Sequence, residues 1–195
     1  MVRILGFQPG GAGSLPAGAT IFFCNKEVAV PEFTVCGKSE VKKTAKQFQA
    51  THLITMLDVG DRVFRPPRIE PGNHLALNFE DEEDPTRLHA PTREHAETIL
   101  EFGRNLPEDA RVVVHCFAGA CRSTASALAL WLQANGTNRL EEGSAWLRAD
   151  RPRACPNLLL ARFFDDILGM SGSLVRECDR IGEDSINRWW KLNNI

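Results

Sequence analysis

The chain has 195 residues, 43% of them hydrophobic and 25% charged, with 23 Lys and Arg against 25 Asp and Glu for a formal net charge of −2. This composition is ordinary for a globular chain able to bury a sizeable core, and a single domain over residues 1–195 is expected. The charge balance argues against a nucleic-acid partner, no apolar run approaches the ~18 residues of a membrane span, and the apolar run near the start is too short for a signal peptide.

The six cysteines are Cys24, Cys36, Cys116, Cys121, Cys155 and Cys178. No Cys-x2-Cys or Cys/His cluster suggests a metal, and no cofactor is expected. In a long chain without a secretion signal, reduced thiols in a cytoplasmic protein are the better reading.

In chain order, residues 8–19 are rich in Gly and Pro and read as a loop. Residues 20–24 read as a short strand, and residues 33–36 as another that Pro31 weakens. Gly37-Lys38-Ser39 superficially matches the end of a nucleotide-binding loop but lacks the upstream glycine. Ser39 is instead the expected N-cap of a helix to about Gln49, with Val41, Ala45 and Phe48 on one face. Residues 52–57 form a strand ended by Asp58-Val59-Gly60-Asp61. Arg62, Arg65 and Arg68 follow, either guiding an anion or solvated as loop charges.

Residues 73–79 alternate Leu75, Leu77 and Phe79 as a half-buried strand. Glu80, Asp81, Glu82, Glu83 and Asp84 come next and cannot all pack, so they belong on a mobile loop. Thr92 caps a helix closed by Leu106-Pro107.

Val112, Val113 and Val114 form a β-branched apolar run, as a buried strand requires. Residues 115–122 make a short loop, and a helix rich in small residues runs from Ser123 to about Ala134, where Asn135-Gly136 stops it. Further helices are expected over residues 140–149 and 158–168, and the tail carries Trp189-Trp190. There is no internal repeat.

A strand, a tight loop and a helix N-terminus make an anion-binding nest, because successive backbone N–H groups point inward and the helix dipole adds positive charge. A cysteine at such a position, beside a cation, becomes a nucleophile. Arg122 offers a planar fork for two phosphate oxygens. Gly119 permits positive φ and close ligand approach, and Ser123 can hydrogen-bond the Cys116 sulfur. The alternative is a buried small-residue turn with an inert cysteine.

His115-Cys116-x-Ala118-Gly119-x-x-Arg122-Ser123 resembles the H-C-x-A-G-x-x-R-S signature of cysteine-dependent protein tyrosine and dual-specificity phosphatases, with six identities in nine positions. The resemblance extends weakly over about residues 50–168, including the R-P-x-x-x-P-N stretch 151–157, where Arg151 and Arg153 either touch substrate or cap a helix. The strand–helix alternation and this resemblance imply an α/β fold with a central mixed, largely parallel sheet flanked by helices.

The resemblance also implies phosphomonoester hydrolysis through a phosphocysteine. Cys116 would attack phosphorus. Arg122 and the loop residues Phe117, Ala118, Gly119, Ala120 and Cys121 would hold the phosphate. Ser123 would assist the departing thiolate, and His115 would orient the loop. An Asp after a strand would protonate the leaving group. Asp84 lies 32 residues before Cys116 and Asp81 35 before. Asp81 is favoured because it follows the strand end directly.

The loop lacks the lysines of lipid phosphatases resembling this signature. That favours a phosphorylated protein, phosphotyrosine or phosphoserine/threonine, or a singly phosphorylated small molecule or lipid. A catalytically weak phosphate-binding module is the alternative. Cys121 is placed as in low-molecular-weight tyrosine phosphatases, which implies a redox-sensitive Cys116–Cys121 disulfide. Otherwise Cys121 merely fills a small apolar site.

Overall fold

The computed structural model describes residues 29–193. The strand expected at 20–24 lies outside the described residues, as do the side chains of Trp189 and Trp190. The described elements are β1 (Glu32–Gly37), α1 (Val41–Gln47), β2 (His52–Leu57), β3 (His74–Asn78), α2 (Arg93–Arg104), β4 (Arg111–Cys116), α3 (Arg122–Asn135), α4 (Leu140–Asp150), α5 (Leu158–Ile167) and α6 (Ser173–Asn193). No described helix is long and apolar enough to cross a membrane.

The strands form one sheet in the order β1-β4-β2-β3, and all the described pairings are parallel. The protein is thus α/β with the largely parallel sheet the alternation predicts. Parallel strands are buried on both faces, and β4 shows it: Val112, Val113 and Val114 have no exposure. Their side chains alternate. Val113 joins Val41, Ala45, Leu53 and Ile69 under α1. Val112 and Val114 join the larger core with Ile54, Met56, Ile99, Leu128, Leu160 and Phe164. At about 25 cal/mol per Å2 of apolar surface removed from water, this burial is the main stabilising term.

The central helix α3 is buried from Arg122 through Leu130, which explains its run of Ala, Ser and Thr. Small side chains let it lie close to the sheet. Its first turn therefore begins beneath the surface, at the end of β4.

Two local expectations change. Ser39 does not cap α1; Glu40 occupies that position without a side-chain cap, and its carboxylate accepts from Gly37 N at 2.8 Å. The helix also stops earlier than Gln49, because Gln49 turns to φ 53° and Ala50 N bonds back to Ala45 O at 2.9 Å, a C-cap that any αL-tolerant residue can make. Thr92 does cap α2, in a reciprocal box with His95. The tail forms α6, whose Leu174, Cys178 and Ile181 stripe is buried.

Candidate active site

The carboxyl ends of parallel strands are where such sheets place their sites. Here each strand sends one feature there. Gly37 ends β1 and Cys116 ends β4, as register partners. Asp58 follows β2, and Phe79 follows β3.

The loop from Cys116 to Arg122 is held from outside. Phe117 O accepts from Lys38 N at 2.9 Å, and Ala120 O from Cys155 N at 2.9 Å. Ala118 O and Gly119 O accept from Arg151 Nη2 and Nε at 3.1 and 3.0 Å. Cys121 O accepts from Ala125 N at 3.1 Å and Asn157 N at 3.3 Å. A peptide is planar, so an outward carbonyl turns the next N–H inward. The five following amides thus face the interior of the loop, and Gly119 N donates to Cys116 Sγ at 3.2 Å. Ser123 Oγ lies 3.2 Å from the same sulfur.

Gly119 has φ +70°, and a Cβ there would lie 2.5 Å from the Cys36 carbonyl carbon. Only glycine fits. Neighbouring Cys36 is inert: burial pushes its thiol up to about 12.

Arg122 is 2% exposed. Its Nη1 donates to Asp58 Oδ1 at 2.7 Å and Phe79 O at 2.5 Å. Its Nε is buried without a hydrogen-bond partner and stands 3.9 Å from Asp81 Oδ2. One edge of the guanidinium is thus locked, and the Nε has a donor to give. An unpaired buried donor is costly unless a ligand takes it.

The two candidate aspartates separate. Phe79 is fully buried and stacks on His95 at 4.5 Å, rooting the acidic loop. Two residues on, Asp81 Oδ1 accepts from Asn157 Nδ2 at 2.9 Å, and the same amide bonds Glu82 O at 3.1 Å. Asp84 is elsewhere: its carboxylate caps Thr86 N and Oγ1 at 2.9 and 2.7 Å, and those bonds, the backbone one first, hold its pKa below the usual carboxylate value.

His115 is buried and accepts or donates through Nε2 to Thr55 Oγ1 at 2.7 Å. Its Nδ1 lies 3.3 Å from Cys116 O. Burial lowers its pKa to about 4, so it is a neutral positioning group. Cys116 Sγ has Gly119 N and Ser123 Oγ as partners, while Cys121 has Cys155 and Asp81 as neighbours.

Asp58, Asn157 and the loop-holding role of Arg151 were not singled out in the sequence. Arg151 bonds the loop's carbonyls and Glu40 Oε2, the latter at 2.8 Å. Arg65 donates to Ile69 O within its own loop. A depression of about 830 Å3 lined by His52, Leu75, Phe102 and Leu106 lies near the amino ends of β2 and β3 and has no cysteine in its lining.

No protein-family model and no curated protein matches the chain. Solved structures do. The crystal structure of DUSP15 superposes with a TM-score of 0.54 at 18% identity, covering 78% of this chain and 93% of that one. Human DUSP28 gives 0.54 at 16% identity over 74% and 96%. The PTP-2 phosphatase of Cydia pomonella gives 0.52 at 18% identity over 69% and 84%. The chain has the fold of the cysteine-dependent dual-specificity and tyrosine phosphatases.

Proposed function

We propose that the protein is a phosphomonoester hydrolase of the tyrosine or dual-specificity kind, acting on phosphorylated protein through a phosphocysteine. The observation that carries this reading is the nest of inward amides around Cys116 Sγ, closed by an Arg122 whose buried Nε has no partner. A tetrahedral phosphate supplies acceptors for both.

In the first step Cys116 Sγ, as thiolate, bonds to phosphorus while the ester P–O bond breaks. Asp81 gives its proton to the departing oxygen. In the second step Asp81 takes a proton from water, the hydroxyl attacks phosphorus, and the S–P bond breaks. Ser123 donates to the sulfur as it leaves, and inorganic phosphate is released. Arg122 and the amides stabilise the equatorial oxygens throughout, which is positioning plus electrostatics.

The rim supports a protein substrate. Phe117 is 60% exposed beside the nucleophile, with Lys38 Nζ 5.8 Å from its ring. An apolar edge suits an aryl leaving group, and the loop itself carries no lysine for a polyphosphorylated headgroup.

Turnover of a phosphotyrosine peptide, a phosphoserine peptide, a singly phosphorylated sugar and a phosphoinositide by the purified protein tests the assignment. The expected order places the phosphotyrosine peptide first by kcat/KM. Preference for the sugar or the lipid would overturn the protein-substrate reading, and phosphate binding without turnover on any of them would overturn the hydrolase reading.

A further inference from the structure

The mechanism leaves two thiols unused beside the catalytic loop. Cys155 N donates to Ala120 O at 2.9 Å and Asn157 N to Cys121 O at 3.3 Å. These two bonds lay the segment before α5 directly against the end of the loop. A disulfide spans about 4.4–6.8 Å between Cα atoms. The Cys121 and Cys155 side chains are neighbours, each acting on the other's protonation. Both residues are partly exposed and both are free thiols. Gly182 of α6 lies beside Cys155 Sγ, which a Cβ at that glycine would approach to 3.4 Å.

We propose that Cys121 and Cys155 form a dithiol modification site that hydrogen peroxide converts to a disulfide, leaving Cys116 as a free thiol.

The chemistry follows from the asymmetry of the pair. The neighbouring Cys121 thiol favours the Cys155 thiolate, lowering its pKa against burial and the nearby charges of Glu83 and Asp81. The neighbouring Cys155, with burial and Asp81, raises that of Cys121. The Cys155 thiolate attacks one peroxide oxygen; the O–O bond breaks and hydroxide leaves, giving a sulfenic acid. The Cys121 sulfur then attacks that sulfur, the S–O bond breaks, and the thiol proton leaves with the hydroxide as water. Two thiols and one peroxide give one disulfide and two waters. Cys155 is partly exposed and open to peroxide.

The test is peptide mapping of the full chain after a stoichiometric pulse of hydrogen peroxide, with alkylation before trypsin. Cys121 and Cys116 share peptide 112–122, and Cys155 lies in peptide 154–162. The expected product links these two peptides, with Cys116 alkylated, and the link persists in Cys116→Ser. Fragmentation of the wild-type link assigns the sulfurs without any variant. An internal Cys116–Cys121 disulfide, or Cys116 sulfinic acid with no link between the peptides, would overturn the proposal. The readout is independent of phosphatase activity, so it stands or fails apart from the proposed function.

Discussion

Asn157 Nδ2 holds Asp81 Oδ1 at 2.9 Å while its own Oδ1 caps α5 through Leu160 N, also at 2.9 Å. One side chain, 1% exposed, therefore ties the acidic loop to a helix that packs on α3. The Asp81 carboxylate reaches Arg122 because of this tether.

If Asp81 is the acid, its loss matters in proportion to the basicity of the leaving group. Asp81→Asn should lower kcat on phenyl phosphate by about 10²–10³-fold and have far less effect on an ester whose leaving group is an acidic phenol. Asn157→Ala should show the same leaving-group dependence at about 10–100-fold. Asp84→Asn should leave both rates unchanged. Steady-state rates across a series of aryl phosphates check this, and a flat Asp81→Asn profile would move the acid elsewhere.

Asp58 is half-exposed, with 48% side-chain exposure, yet it bonds the buried Arg122 at 2.7 Å. An exposed partner contributes modestly, and Phe79 O remains as the second acceptor. Asp58→Ala should therefore raise KM and the inhibition constant of vanadate about 3–5-fold, with little change in melting temperature. An unchanged vanadate constant would show that Phe79 O alone orients the guanidinium.

Gly119 combines φ +70° with a Cys36 carbonyl carbon 2.5 Å from any Cβ. Gly119→Ala should cost about 1–3 kcal/mol of stability. It should also remove nearly all turnover, because the outward carbonyls and inward amides depend on that peptide. Urea unfolding and a hydrolysis assay on the same sample check both parts.

His115 gives a pH dependence of stability. Its folded pKa of about 4 lies below the ordinary 6.5, so the unfolded chain binds more protons between those values. Stability is complete above pH 6.5 and falls as pH drops toward 4, by about 3 kcal/mol from this group. Burial lowers His52, His74 and His95 as well, adding loss of the same sign. Denaturant midpoints across this range should decline, and His115→Gln should flatten part of the decline. Parallel curves for the two proteins would contradict the assignment.

The strand Val112–Val114, the loop and α3 were legible because their signals are local: a β-branched run, a signature and a row of small residues. Strand-end position favoured Asp81 over Asp84 in the sequence, and the tertiary partners add the reason: Phe79 roots one and Thr86 captures the other. Asp58 read only as part of a strand stop, and Asn157 only as the end of the 151–157 stretch; the structure makes Asn157 the cap of α5. Their second roles depend on which strand ends meet, which periodicity does not encode. Ser39 has no capping role because α1 begins at Val41, which puts Glu40 at the N-cap position. The α6 stripe of Leu174, Cys178 and Ile181 was present in the sequence but went unread among the polar residues around it.

The central claim is that Cys116 carries the phosphoryl group. Hydrolysis of p-nitrophenyl phosphate by Cys116→Ser, with the folded state verified by an unchanged circular dichroism spectrum, tests it most directly. The account predicts loss of turnover to background with vanadate binding retained. Turnover equal to that of the unaltered protein would contradict it.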